Sequence, residues 1–280
     1  MRKNYFSNTL KMLLTIVFSC VFMSVWAQSE IHVEKAGTLP SLLPTSENTL
    51  KITGSINGTD VKHLRKLISE GSVNSLDLSG VRIVKGGSAY DGTNKTEDDI
   101  IGPTMFKNFT NLRSVELPAT ITAIRSQAFA ATGLKKVDIP NTVSTLEDHV
   151  FADCSFLNTV VIGSRVSKLD QGVFYSSPVK TVYSKPQTPP SAPAYFFSSK
   201  PTIRVYTSSL AEYKTSNWKD FAGSFVGNLE KYYPQEADSS TIINERLGTY
   251  FEEDADIYDD FNAWSTTCGM RGLLAFYEAT

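Results

Sequence analysis

The chain has 280 residues, 41% of them hydrophobic and 20% charged, with a formal net charge of -2. That composition excludes a disordered chain and gives nucleic-acid binding no support. Three cysteines are too few for a disulfide framework and badly spaced for zinc.

Residues 1-27 predict a secretory signal peptide. Arg2, Lys3 and Lys11 precede an apolar run from Met12 to Trp26, closed by the small residue of "VWA" at Ala27. A lipoprotein cleavage box at "VFSC", with Cys20 acylated, fits less well, because Phe18 suits it poorly and the apolar run continues past the cysteine. Removal of the leader takes three of the 27 basic residues and none of the 29 acidic ones, leaving 24 against 29. An export signal without a disulfide lattice predicts a bacterial secreted protein held together by core packing.

Residues 28-99 read as an N-terminal cap. "LKITGSING" from Leu50 and "LDLSGVRIV" from Leu76 are two degenerate strand units separated by "TDVKHLRKLISEG". Thr59 or Asp60 is expected to cap a helix that ends at Gly71, with Val61, Leu64, Leu67 and Ile68 at helical spacing. The polar stretch "GGSAYDGTNKTEDD" from Gly86 is long enough to be an inserted loop.

Residues 100-196 repeat. "LRSVELPATITAIRSQAF" starts at Leu112, "LKKVDIPNTVSTLEDHVF" at Leu134 and "LNTVVIGSRVSKLDQGVF" at Leu157; with Val179 the first positions are 22, 23 and 22 residues apart. Each is followed 17 residues later by an aromatic, Phe129, Phe151, Phe174 and Phe196. Val115 and Leu117, Val137 and Ile139, and Val160 and Ile162 alternate with period two, as in a strand with one buried face. Pro118, Pro140 and Gly163 end these short parallel strands. A second apolar pair follows in each unit, Ile121 and Ile124, Val143 and Leu146, Val166 and Leu169. About six buried apolar side chains cannot offset the ordering of a whole coil, so coils must stack on one another and their ends must be sealed.

Residues 197-234 read as a C-terminal cap. The fourth unit decays into "SKPQTPPSAPAYFF", and "PTIRVYTSSLAEYKTSNWKDF" adds a strand and a short helix bearing Tyr213, Trp218 and Phe221. Residues 235-280 form an acidic tail with ten acidic and two basic residues. Its Glu252, Glu253, Asp254, Asp256, Asp259 and Asp260 lack the glycine and terminal glutamate of an EF-hand. A solvated acidic helix or flexible tail is the simpler reading, although Tyr250, Phe251, Tyr258, Phe261 and Trp264 argue against full disorder. An incomplete domain, an anchor and a secretion signal all stay open for it.

The repeat units, the stretches "VEKAGTLPSLL", "ITGSINGTDVKHLRKLI" and "LDLSG" before them, and "YKTSNWKDF" after them resemble the BspA-like leucine-rich-repeat proteins exported by Bacteroidales-type bacteria. The resemblance covers about Ile31 to Leu229. It implies an α/β fold, a right-handed leucine-rich-repeat solenoid with short parallel strands on its concave face and caps at both ends. It also implies a place at or outside the cell surface and a role in adhesion to host proteins or other cells. The chain departs from the pattern where it has "VYT" in place of "VP", and the family brings no catalytic residues to carry over.

On such a solenoid the residues between the buried strand positions face outward. One expected column runs Asp77, Glu116, Asp138, Val161, Tyr183, and its neighbour runs Ser75, Ser114, Lys136, Thr159, Thr181. Together they form a candidate partner-binding strip, acidic at one end and aromatic at the other, weighed against a plain solvated sheet face. His32, His63 and His149 lie in unrelated segments, Cys154 reads as a small buried hydrophobe in the place held by Phe109, and sequons at Asn57, Asn94 and Asn108 carry no weight in a bacterial chain. The expectation is a secreted or surface-exposed, non-enzymatic protein-binding module with no cofactor, no metal, no nucleic-acid partner and no membrane span in the mature chain. Its partner is an extracellular or surface protein. The alternative is a structural or assembly component of the cell envelope.

Overall fold

The computed structural model describes residues 30-42, 48-193 and 196-234. The chain divides into two units, Met1–Leu229 and Glu230–Thr280, and all the strands of the described residues belong to the first. The expected signal peptide, Cys20, Cys268 and the acidic tail from residue 235 lie outside the described residues.

The chain enters as strand β1 (Glu30–Val33), followed by β2 (Thr49–Ile56), helix α1 (Gly58–Ser69) and β3 (Ser75–Ile83). Each coil that follows adds a strand on one side and a two-residue strand on the other. These are β4 (Ile100–Ile101), β5 (Ser114–Glu116), β6 (Ala123–Ile124), β7 (Lys136–Asp138), β8 (Thr145–Leu146), β9 (Thr159–Ile162), β10 (Lys168–Leu169) and β11 (Thr181–Ser184). Strand β12 (Thr202–Val205), helix α2 (Leu210–Thr215) and β13 (Ser224–Gly227) complete the unit. Among the described residues every strand pair is parallel, because each coil returns to the same side in the same direction. The long side consists of two sheets, β1-β2-β3-β5 and β7-β9-β11-β12-β13. The short strands β4, β6, β8 and β10 form a third sheet opposite, built on the second apolar pairs of the repeat. The two sheets of the long side are separate ladders, so the strand series is interrupted between β5 and β7.

Strand residues read as inward are buried: Val115, Leu117, Val137, Ile139, Val160 and Ile162 are at most 6% exposed. Between the two sides runs a column of stacked rings, Phe106, Phe129, Phe151, Phe174 and Phe197, with successive centroids 5.3, 5.4, 5.8 and 5.0 Å apart. Phe106 extends the column one coil before the first aromatic read from the repeat. At the other end the expected member was Phe196, but Phe197 bridges to Phe174 and takes the place. The proline-rich fourth coil is one residue longer than its sequence register suggests. Phe196, fully buried, packs against Trp218 and Phe221 instead, at 4.9 and 5.0 Å.

Each of four column rings is flanked, two residues before and two after, by left-handed backbone. The first set is Thr104, Gln127, His149 and Gly172, and the second is Asn108, Ala131, Asp153 and Ser176, with φ between 53° and 68°. This geometry turns successive N–H groups toward the next coil: Gln127 N donates to Asp148 O at 3.0 Å, Phe129 N to Val150 O at 2.9 Å and Ala131 N to Ala152 O at 2.8 Å. Alanine is strained in the left-handed region and lacks the local side-chain bonding open to Asn or Asp. Ala131→Gly is therefore expected to raise the unfolding free energy by about 0.5 kcal/mol, the relief of strain exceeding the entropy cost of glycine. An unchanged or lower urea midpoint would contradict that account.

Helix α1 is capped two or three residues earlier than expected. Asn57, not Thr59 or Asp60, is the N-cap, and its side chain accepts from Thr59 N at 2.9 Å. Asp60 is the reciprocal partner of the capping box. Its buried carboxylate also accepts from Gly37 N at 2.6 Å and Leu39 N at 2.9 Å, tying the helix to the segment after β1. Gly71 follows the helix at φ +76°, as a left-handed C-terminal residue should.

The polar stretch from Gly86 is a loop, but one anchored to the core. Tyr90 is 2% exposed and donates to Pro103 O at 2.8 Å. Burial works to raise the carboxyl pKa of Asp91, yet hydrogen bonds from Thr104 and Asn94, and from the backbone of Asn94 and Thr93, hold it well below the usual range. Arg65 of α1 joins the loop to the first coil, donating to Thr104 O at 3.0 Å and Met105 O at 2.5 Å beside the Tyr90 and Phe109 rings.

Candidate binding surface on the parallel sheets

Alternation along each strand sends one residue set into the core and the other outward, and parallel register aligns the outward set across strands. Ser75 stands beside Ser114 and Asp77 beside Glu116. Lys136, Thr159 and Thr181 are aligned, as are Asp138, Val161 and Tyr183. The structure thus brings the candidate residues together as two columns, each interrupted once, between β5 and β7. The register also extends the main column at both ends, with Lys51 and Glu30 before Asp77 and Arg204 and Val226 after Tyr183.

Lys51 is absent from the columns expected from sequence although its signal is present in the chain: it follows Leu50 as Asp77 follows Leu76. Lys51 supplies positive charge next to the carboxylates, pairing with Glu30 at 2.9 Å. This pairing, and to a lesser degree Asp77, raises its pKa. Lys136 pairs with Asp138 Oδ2 at 2.9 Å. Asp77 accepts from Ser79 N at 3.0 Å and Ser79 Oγ at 2.6 Å. Glu116 is exposed and has no such donor among the described residues; desolvation first, then the Asp138 and Asp77 carboxylates, push its pKa up, with Lys136 opposing. The Oδ1 atom of Asp138 is inaccessible and accepts no hydrogen bond among the described residues. The acidic end therefore holds more negative charge than its lysines neutralise.

Exposure varies along the strip. Ser114, Glu116 and Lys136 are exposed, and Asp77, Asp138, Thr159, Thr181 and Tyr183 are half-buried. Val161 is the correction: at 1% exposure it offers no contact area. Its short branched side chain stands in register between the longer Asp138 and Tyr183, and it is not part of the inner core cluster.

The other reactive residues stay apart. His32 Nδ1 lies 3.1 Å from Thr53 Oγ1, and His149 Nδ1 lies 3.6 Å from an Asp148 carboxylate oxygen on the opposite side. Cys154 is fully buried, its sulfur 3.2 Å from Thr132 Oγ1 and from Phe129 O, while its N–H donates to Ser177 Oγ at 3.0 Å. Burial pushes its thiol pKa up. Thr132, Cys154 and Ser177 hold one position on successive coils and satisfy backbone groups there. Among the described residues no group of three or more His, Cys, Asp or Glu is placed to hold a metal ion, and no helix is long and apolar enough to cross a membrane.

Parallel strands stacked coil on coil, few helices and a ring column between the two sides define an α/β fold of the leucine-rich-repeat type. Residues 94–204 match, in six copies, the family described as BspA type leucine rich repeat region. Among solved structures, it is similar to a leucine-rich repeat protein from Bacteroides ovatus, at 14% identity and a TM-score of 0.29, over 63% of this chain and 57% of that one. It is also similar to a leucine rich cell surface protein from Faecalibacterium prausnitzii, at 12% identity and a TM-score of 0.20, over 75% of this chain and 82% of that one. The chain thus spans 57% of the length of the Bacteroides ovatus structure. No curated protein matches.

Proposed function

We propose that the chain is an exported, surface-exposed, non-enzymatic module of the adhesion type that binds an extracellular or surface protein. In this reading the coil is right-handed, the long side is concave, and the segments before β4 and after β11 seal its ends. The observation that carries the proposal is the aligned column itself. Three carboxylates, Asp77, Glu116 and Asp138, stand toward one end, and half-buried Tyr183 follows two strands beyond Asp138. Extended side-chain columns of this kind are how solenoids present a binding surface, and an acidic end favours a partner with a basic patch.

The test starts from a pull-down with the full chain against host matrix and bacterial envelope fractions. Against the protein captured, Asp77→Asn, Glu116→Gln and Asp138→Asn together are expected to slow association several-fold and flatten its salt dependence. Tyr183→Ala is expected to act mainly on dissociation, since it removes contact area instead of long-range attraction. Unchanged association and dissociation rates in both variants would move the site off this face.

A further inference from the structure

A second surface lies on the flank that leads from each column ring to the next strand. Its segments 107-113, 130-135, 152-158, 175-180 and 198-200 carry Lys107, Arg113, Lys135, Lys180 and Lys200 against the one carboxylate Asp153. Arg113, Lys135, Lys180 and Lys200 are exposed, and among the described residues none of the four makes an ion pair. Asn158 N donates to Lys135 O at 3.0 Å and Lys180 N to Asn158 O at 2.9 Å, so these three stand at one place on successive coils. Lys135 and Lys180 are therefore two strand spacings apart, about 10 Å.

Between these cations the flank holds a built feature. The Arg113 guanidinium lies 4.8 Å from the ring centroid of Phe156, a residue that is 51% exposed. The two residues belong to coils separated by one other, and the intervening coil has Gly133, where an added Cβ would sit 2.2 Å from Thr110 O and 3.0 Å from Arg113 Nη1. The glycine lets the two coil backbones approach closely there, and the arginine passes beside it along the flank to the ring. Cation and ring hold each other in place.

From this we infer that the flank binds a linear acidic polysaccharide, one bearing uronate or sulfate groups. Cations without carboxylate partners call for a polyanion, and the alignment of Lys135 and Lys180 two strand spacings apart calls for charges repeated along a line. An exposed aromatic residue with a guanidinium against its ring suits a sugar ring with its hydroxyls and acid group. A protein hot spot needs a larger apolar centre ringed by other contacts than one phenyl group supplies, and a membrane surface gains little from a single ring. This surface borders the outward columns of the sheets, with Lys135 next to Lys136 and Lys180 next to Thr181, but shares no residue with them, and its inference stands whether or not those columns bind protein.

The test uses the full chain on immobilised heparin for sulfate, polygalacturonate for uronate and dextran as the neutral control, with phosphatidylserine vesicles as a separate arm. Salt-reversible binding to at least one acidic polysaccharide is expected, with none to dextran and no sedimentation with the vesicles. Lys135→Glu with Lys180→Glu is expected to weaken binding at least about tenfold, and Phe156→Ala several-fold. The triple carboxylate variant of the sheet face should bind the polysaccharide no more weakly than the parent chain. Far-UV circular dichroism checks that these exposed substitutions leave the fold intact. Binding to vesicles alone, no binding to either acidic polymer, or undiminished binding by the double lysine variant overturns the inference. Undiminished binding by Phe156→Ala overturns the sugar-stacking part and leaves a generic polyanion surface.

Discussion

Phe151→Ala is expected to lower the unfolding free energy by about 3–5 kcal/mol, the range for removing a buried phenyl ring from a packed core. Phe151 is fully buried and stacked on both sides, with Phe129 at 5.4 Å and Phe174 at 5.8 Å and the planes within 9° and 6° of parallel. Each stacking contact adds to the area term, and the cavity would open midway along the ring column. In a repeat protein, stability is close to a sum of coil terms and neighbour interfaces, so one substitution here weakens the interfaces on both sides of its coil. Chemical denaturation followed by tryptophan fluorescence and by far-UV circular dichroism measures the effect. Trp218, fully buried with its Nε1 donating to Pro190 O at 2.8 Å, reports on the C-terminal end. A shift of the midpoint equivalent to less than about 1 kcal/mol would show that the rings do not hold the coils together.

Ile139→Asp is expected to cost several kcal/mol, because it places a carboxylate without a partner on the inner face of the coil. Ile139 is 2% exposed, and its own N–H donates to Val161 O at 2.9 Å, which continues the pairing of β7 with β9. The buried carboxyl would have a raised pKa in the folded state. Its destabilisation is then largest at neutral pH, falls as pH drops through that raised value toward the ordinary carboxylate range, and is smallest below that range, where the group is protonated in both states. The adjacent substitution Asp138→Asn changes an outward, half-exposed residue and is expected to stay within about 0.5 kcal/mol of the parent. Equal stabilities for the two variants in urea titrations would mean that the inward and outward positions of this strand are assigned the wrong way round.

Much of the architecture was legible in the sequence because a coil repeats its physical problem. Val137 and Ile139 must face the core for the same reason that Val160 and Ile162 must, and a repeated pattern in four units leaves little freedom to the period-two reading. Phe129, Phe151 and Phe174 follow from the same logic. Phe196 does not, because the pattern counts residues along one coil, whereas the ring column counts places between coils. A proline-rich turn lengthened by one residue separates those two counts.

Tertiary structure decided what depends on lateral neighbours. The N-cap moved to Asn57 because Asp60 is needed three residues on and is drawn into bonds with Gly37 and Leu39, contacts that span more than 20 residues. Val161 reads as outward in its own strand, and only its register with Asp138 and Tyr183 shows it as a recessed place in the column. Lys51 becomes a partner to the acidic column only when β2 lies against β3. Arg113 meets Phe156 only across the coil that carries Gly133. The sequence by itself determined which side chains each coil buries, since burial repeats with the local period. Which outward side chains meet, and therefore what the surfaces of this protein can bind, was decided by register between coils, which no single coil encodes.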